Sequence, residues 1–409
     1  AQGRAVTPLV PSPFSLAAAP FRPVPRLAAA LPLAALLLLL LLLLPHAAAA
    51  QAHYIAFGDS ITAGYGDDPG RARPGYPPRL ESLLAAHGTV AVVDNQGFFG
   101  ETTDGGLTRL NRVLQGGGDV LLLMEGTNDV NQKISAETTL FNLDTMARKA
   151  EAQGMKVVHA TIIPRLPSAN TDGDNRVTEA LAEGLRDLAW TRGRALADPF
   201  EVFFYYTPNV FNRDYLDGVD RLHPNGSGYE RLARVFADFL LGIDSVPPVT
   251  GTISPADGAL GVAPNATVSL SLYDFGKGID ISKTVLQVGG QTVTPALSGD
   301  SRKLVINYTP ATPFQGVVSV ALQSQDLASP PNQLDRTLAT FIIAGTTFLP
   351  GDINHDGRVD GTDLLILALA FGAHRSDPNY NIAADFNGDG IVDGLDLAVV
   401  AANFGKSSF

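Results

Sequence analysis

The stretch HYIAFGDSITAGYG at 53–66 decides the fold. Its first five residues form an apolar run that ends abruptly at Gly58-Asp59. Such a run reads as a short strand buried on both faces, and it carries Ser60 to the point where strand gives way to helix. Working outward, further strands are expected at 90–94 (VAVVD), 119–124 (DVLLLM), 156–162 (KVVHATI) and 195–198. Helical patterns lie between them near 77–87, 104–115, 136–153 and 174–193, with a last one at 226–241. This alternation predicts an α/β domain, a parallel sheet with helices on both faces in three layers. Ligands of such sheets bind beyond the carboxyl ends of the strands, so the loops after 57, 94, 124 and 162 should surround one crevice.

The whole chain has 409 residues, 45% hydrophobic and 17% charged, with net charge −12. That apolar fraction excludes wholesale disorder, and the length suggests two to four domains. The acidic balance argues against a general nucleic-acid binder, since little would neutralise phosphates. With no cysteine, disulfides, thiolate catalysis and cysteine-ligated zinc are excluded.

At the N-terminus Arg4, Arg22 and Arg26 precede an apolar run from Leu27 to Leu44, which AAAAQA follows at 47–52. A basic region, an apolar stretch and an Ala-x-Ala end predict a secretory signal over 1–52, cleaved near Ala50 or Ala52. An uncleaved membrane anchor is the alternative. Either way the remainder is expected outside the cytoplasm, secreted or associated with the cell surface or a scaffold.

Beyond the α/β pattern (53–244), SVPPVTG at 245–251 reads as a linker. The period then changes to two. TVSLSLY (267–273), TVLQV (284–288), KLVINY (303–308), VVSVALQ (317–323) and TLATFII (337–343) alternate, with turn residues between them. This predicts an all-β sandwich over 245–345, which resembles the bacterial Ig-like modules of secreted enzymes. A spacer is the expected role, with sugar binding as the other possibility.

The tail is an internal repeat. DINHDGRVDGTDLLILALAFG (352–372) aligns without gaps on DFNGDGIVDGLDLAVVAANFG (385–405), with 12 of 21 positions identical. Residues 351–409 hold nine Asp against Arg358, Arg375 and Lys406, and so carry half the net charge. Asp352, Asn354, Asp356, Asp360 and Asp363 fall at positions 1, 3, 5, 9 and 12 of a calcium loop; Asp385, Asn387, Asp389, Asp393 and Asp396 repeat the set. Gly357 and Gly390 occupy position 6, where such loops turn sharply, and Arg358 and Ile391 at position 7 would coordinate through backbone carbonyls. Two structural Ca²⁺ ions are therefore expected. Pro350-Gly351 and Pro378 leave only the exiting helices, near 363–371 and 396–404. These paired half-hands over 346–409 resemble a type I dockerin, a small helical domain, and that resemblance implies docking onto a cohesin-bearing scaffold. At loop positions 10 and 11 the chain reads Gly361-Thr362 and Gly394-Leu395, where clostridial dockerins commonly carry hydroxyl residues.

Ser60 needs a base to become a nucleophile, usually a His oriented by a carboxylate. Of seven His, His223 and His355 have an acid three residues earlier; His355 lies in the tail, which leaves His223 with Asp220 in DRLHPNGSGYERLA. His53 and His159 lie inside strand patterns and read as core. Acyl transfer also needs donors for an oxyanion. Gly97 in NQGFFGET can bring its N–H close, and Asn128 in EGTND offers a side-chain amide. Asp59 and Asp129 read as braces for their loops. Arg71 and Arg73 in DDPGRARPGYP, and the aromatics of 201–218, are candidates for shaping a pocket.

In this order the four blocks resemble the SGNH (GDSL) hydrolases over about 190 residues. The resemblance implies a flavodoxin-like sheet and esterase chemistry without a catalytic cofactor. It also implies a Ser60–His223–Asp220 triad and oxyanion donors from Ser60 N–H, Gly97 N–H and the Asn128 amide. With the dockerin-like tail, the expected substrate is an acylated polysaccharide. Lysophospholipase, arylesterase or thioesterase activity on lipids or small esters fits the motifs equally, and a non-catalytic assembly protein is the reading from another class.

Overall fold

The computed structural model describes residues 51–166, 172–204, 213–344, 349–354, 357–374, 377 and 379–407. The expected signal at 1–52 lies almost wholly outside the described residues, as does Asp356. Among the described residues no helix is long and apolar enough to cross a membrane.

Five strands build the first sheet: β1 (Ala52–Gly58), β2 (Ala91–Gly97), β3 (Val120–Met124), β4 (Lys156–Ala160) and β5 (Ala195–Ala197). They pair in parallel in the order β2-β1-β3-β4-β5, the flavodoxin-like arrangement. The helices are α1 (Ser60–Ala63), α2 (Tyr76–Ala86), α3 (Thr103–Leu114), α4 (Thr127–Asn131), α5 (Ala136–Glu151), α6 (Asp172–Arg192), α7 (Pro199–Phe204) and α8 (Gly226–Leu241). Alternation along each strand divides the core in two. Tyr54, Ala56 and Leu122 meet Leu80 of α2 and Phe236 of α8 on one face. Ile55, Phe57 and Leu121 meet Leu110 of α3, Met146 of α5 and Leu185 of α6 on the other. The strand order reverses between β1 and β3, which opens the crevice at their carboxyl ends. Ser60 follows β1 and Asn128 follows β3, one on each side of that reversal.

The second half is a sandwich of two antiparallel four-stranded sheets. Its strands are β6 (Val249–Ser254), β7 (Val268–Tyr273), β8 (Val285–Val288), β9 (Gln291–Val293), β10 (Ala296–Gly299), β11 (Lys303–Tyr308), β12 (Val317–Gln325) and β13 (Gln333–Ile342). One sheet is ordered β10-β11-β7-β6 and the other β13-β12-β8-β9. Inward residues such as Leu270, Leu272, Ile306, Val320 and Phe341 fill the space between them. The linker reading needs correcting at its end: β6 takes residues 249–251. The sandwich also leans on α6. Tyr273 donates its hydroxyl to Asp187 at 2.6 Å, Lys303 bonds the same carboxylate at 2.5 Å, and Trp190 Nε1 donates to Asp300 at 3.1 Å.

In the tail, α9 (Gly361–Ala370) and α10 (Gly394–Asn403) leave their loops where expected. Each begins with a capping box. Asp360 and Asp393 accept the N–H of residues 362 and 395, while Asp363 and Asp396 reach back to the N–H of residues 360 and 393. The halves close on each other crosswise. Val359 of the first loop pairs with Gly405 and Lys406 after α10, and Val392 of the second pairs with Gly372 and Ala373 after α9. Seven buried side chains, among them Val359, Leu367, Val392 and Val400, make the core.

Candidate active site

The turn from β1 into α1 fixes Ser60. Asp59 caps the helix by accepting the Ile61 N–H at 2.9 Å, and Gly64 ends it with φ +93°. Ser60 thus sits in the first helical position, where its own N–H has no acceptor within the helix. Asp59 is buried; burial pushes its carboxyl up to about 6, against the opposing hydrogen bond from Ile61.

Residues 217–225 curl over this turn. Leu216 bridges to Pro224, and the Asp217 N–H donates to the His223 carbonyl at 2.8 Å. The curl places His223 Nε2 2.8 Å from Ser60 Oγ, and His223 Nδ1 2.7 Å from Asp220 Oδ2. Asp220 Oδ1 accepts the backbone N–H of Leu222 at 2.9 Å and of His223 at 3.0 Å. Partial burial pushes the Asp220 carboxyl up, but these N–H bonds and the imidazole outweigh it and hold the group below its ordinary value. An ionised Asp220 keeps the proton on Nδ1, which leaves Nε2 free to accept from Ser60.

Gly97 ends β2 against α1. A Cβ there would lie 2.1 Å from the Ala63 nitrogen, so only glycine allows this approach. Its N–H donates to Asn95 Oδ1 at 3.0 Å, a bond the sequence reading did not foresee. Asn128, on α4, donates one amide hydrogen to the Glu101 carbonyl at 2.9 Å and keeps the second. Glu101 is itself held by Arg109. Asp129 braces α4 from behind, accepting Thr103 N–H at 2.9 Å and the hydroxyls of Thr103 and Thr139.

The sequence reading missed several groups around the site. The Tyr65 ring lies 4.5 Å from His223 and 5.9 Å from Phe99, centroid to centroid, and its carbonyl is fixed by the Tyr229 hydroxyl at 2.6 Å. Tyr65, Phe98 and Phe99 are all more than half exposed, an aromatic rim beside the triad. Nothing in a lone Tyr or an FF pair says that it faces solvent. Arg165 is buried and bonds Asn131 at 2.6 Å and the Thr127 carbonyl, fixing α4 from the far side.

Arg73 is spent on a two-pronged pair with Glu81 at 2.6 and 3.0 Å, and Arg71 lies 3.9 Å from Asp67. Of the aromatic stretch 201–218, Val202 and Phe203 are core, and 205–212 lie outside the described residues. His159 is fully buried, and burial lowers its imidazole to about 3, so it is a neutral core residue.

A serine, a histidine and a carboxylate in one hydrogen-bonded chain, at the switch point of a parallel sheet, define the serine hydrolase class of site. Residues 56–231 match the GDSL-like lipase/acylhydrolase family, and residues 350–404 match the dockerin type I domain. The chain thus carries a GDSL-type acylhydrolase domain followed, after the sandwich, by a type I dockerin domain. It is 38% identical over 105 residues to Esterase TesA of Pseudomonas aeruginosa, a match covering 25% of this chain. The chain spans about half the length of that curated relative (51%). Among solved structures it is similar to the lipase/acylhydrolase of Enterococcus faecalis, at 26% identity and TM-score 0.41, over 47% of this chain and 96% of that one. It is also similar to an acetylxylan esterase of Geobacillus stearothermophilus, at 21% identity and TM-score 0.40, over 46% and 94%.

Dockerin type I domains bind calcium, and the donors here suit a hard cation. Asp352, Asp363, Asp385 and Asp396 are buried, and among the described residues none of Asp385, Asp389, Asp393 and Asp396 makes an ion pair. Gly390 N–H donates to Asp385 at 2.9 Å, Phe386 N–H to Asp396 at 2.7 Å, and Ile353 N–H to Asp363 at 2.7 Å. The second oxygens of these three, Asp385 Oδ1, Asp396 Oδ2 and Asp363 Oδ2, accept one N–H each and keep a further lone pair for a metal. Asn354, Asp360, Asn387 and Asp393 complete the described side-chain donors, with the carbonyls of Arg358 and Ile391.

Proposed function

We propose that this chain is a secreted serine ester hydrolase that removes acetyl or other short acyl groups from polysaccharides and is anchored through its tail. The observation carrying the reading is the unbroken chain from Ser60 through His223 to Asp220, at 2.8 and 2.7 Å. His223 Nε2 takes the Ser60 proton as Oγ attacks the ester carbonyl, and Asp220 stabilises the imidazolium. The Ser60 N–H and the free Asn128 amide hydrogen hold the oxyanion, joined by the Gly97 N–H when Asn95 yields it. His223 then protonates the departing alcohol, and water repeats the sequence on the acyl-enzyme. These steps require no metal.

The domains we assign are a signal at 1–52, the catalytic domain at 53–244, an Ig-like spacer at 245–345 and the dockerin at 346–409. The dockerin holds two Ca²⁺ ions through the twelve loop residues named above and presents itself to a cohesin-bearing scaffold outside the cell. That setting supports a polysaccharide substrate, as does the exposed Tyr65, Phe98 and Phe99 rim, whose faces can stack on sugar rings. The same rim also supports a second reading, hydrolysis of lipid or aryl esters. A panel of acetylated xylan, lysophospholipid and short- and long-chain aryl esters separates the two. Release of acetate from xylan at the highest kcat/KM is the expected result. A preference for lysophospholipid or long acyl chains would overturn the polysaccharide assignment, and inactivity on every ester would favour a binding platform.

A further inference from the structure

We propose that Asp244, Asp274 and Asp326 form a divalent-cation site, suited to Ca²⁺, which ties the catalytic domain to both sheets of the sandwich. Each residue comes from a different part of the fold. Asp244 follows α8, Asp274 follows β7 in one sheet, and Asp326 follows β12 in the other. One carboxylate oxygen from each lies within 4.8 Å of the other two. Asp274 is 6% exposed and Asp326 1%, so water screens these two charges poorly, while Asp244 is half-buried.

The hydrogen bonds show which oxygens are committed. Asp274 Oδ1 accepts Gly276 N–H at 2.8 Å and Gly278 N–H at 3.1 Å. Asp326 Oδ1 accepts Ala328 and Asn332 N–H, at 3.0 and 2.8 Å, and its Oδ2 takes the Asn332 amide at 2.5 Å. Asp244 accepts Lys277 N–H at 2.6 Å. Asp274 Oδ2, however, is buried with no partner. A buried carboxylate oxygen left bare on a residue clustered with two other carboxylates is costly unless something positive meets it. None of the three makes an ion pair with a lysine or arginine among the described residues.

Lys277 offsets part of the Asp244 charge from beyond ion-pair distance; at Asp274 Oδ2 a metal ion or a proton can supply the rest. Burial, then the charges of Asp244 and Asp326, push the Asp274 carboxyl up to about 7, so a proton competes near neutrality. The spacing admits the metal, because trans oxygens around Ca²⁺ stand about 4.8 Å apart at ~2.4 Å per bond. Backbone carbonyls and waters would complete its six to eight ligands, roughly as calcium sites do. Asp244 and Asp274 also line a cavity with Val202, Phe239 and Tyr273. This site is independent of the tail loops and of the catalytic reading.

The test uses the full chain carrying Asp363→Ala and Asp396→Ala, which cripples the tail loops. Calorimetric titration with CaCl₂ should still find about one equivalent. The unfolding midpoint followed by Trp190, the sole tryptophan and bonded across the junction to Asp300, should rise by several degrees in millimolar Ca²⁺. MgCl₂ should do less, and adding Asp274→Asn should abolish both effects. If Asp274→Asn does not fold, the titration of the parent decides alone. No bound calcium with an unmoved midpoint would overturn the proposal, as would an equivalent that persists in Asp274→Asn. A pH-dependent midpoint indifferent to Ca²⁺ would also overturn it, making the cluster a shared-proton site.

Discussion

In the catalytic domain Asp67 and Asp144 meet fixed cations: Asp67 bonds Arg79 at 2.6 and 2.8 Å, and Asp144 bonds Arg192 and Arg194 at 2.7 and 2.6 Å. In the tail, among the described residues, Asp385, Asp393 and Asp396 meet only N–H groups, joined at Asp385 by the Tyr380 hydroxyl at 2.6 Å. The cores differ as well. Among the described residues, two clusters of 25 and 15 buried side chains flank the parallel sheet, against seven in the tail. The first region is organised by its own side chains. The second leaves its charge balance to an ion, whose binding then becomes folding free energy.

The sharpest way to break this contrast is at the triad. Ser60→Ala and His223→Ala should each lower ester turnover by up to ~10⁶-fold, with the circular dichroism spectrum and Trp190 emission unchanged. Turnover near normal in a folded Ser60→Ala protein would remove the covalent path.

Next comes the tail. EDTA should abolish the helical signal of α9 and α10 while ester hydrolysis by the full chain persists. Asp363→Ala with Asp396→Ala should reproduce that loss in the presence of calcium. Hydrolysis that falls with the helix in the Asp363→Ala, Asp396→Ala protein as well as in EDTA would mean the two regions are coupled.

Asn128→Ala should lower kcat by about 10²–10³ with KM little changed, because its free N–H acts on the oxyanion. A change confined to KM, read from steady-state kinetics, would make Asn128 a substrate-binding group.

The smallest effect concerns Asp59. Its folded carboxyl lies at about 6, above the ordinary 3.8, so the native state holds the proton more tightly than the unfolded chain. Stability contributed by this group should therefore be full below about pH 4 and fall as pH rises to about 6, by roughly 2–3 kcal/mol. Asp59→Asn keeps the helix cap and should remove that portion of the slope in denaturant titrations. Identical slopes in both proteins would show that Asp59 does not hold its proton.

Much of this was legible because the sequence signals were redundant. The strand at 53–57 was read from its apolar run and lies within β1, and the repeat placed α9 and α10 within about two residues. Asp220 and His223 were found by elimination among few histidines, three residues apart. What the sequence hid was set by tertiary contact. The β6 strand begins inside a Pro-rich segment because β7 supplies its partners, which outweighs local composition. Asn95 holds the Gly97 N–H through a side chain two residues away, a choice that depends on the turn. Tyr65 reaches His223 across 158 positions, and no periodicity reports that.

The crosswise closure of the tail has a consequence for how it fills. Val359, beside the first loop, is held by Gly405 and Lys406, which stand beyond the second helix; Val392, beside the second loop, is held by Gly372 and Ala373, beyond the first. An ion that orders one loop therefore also orders the clasp of the other. Calcium uptake by the tail should be cooperative, steeper than two independent sites allow, and a lesion in either loop should be felt in both.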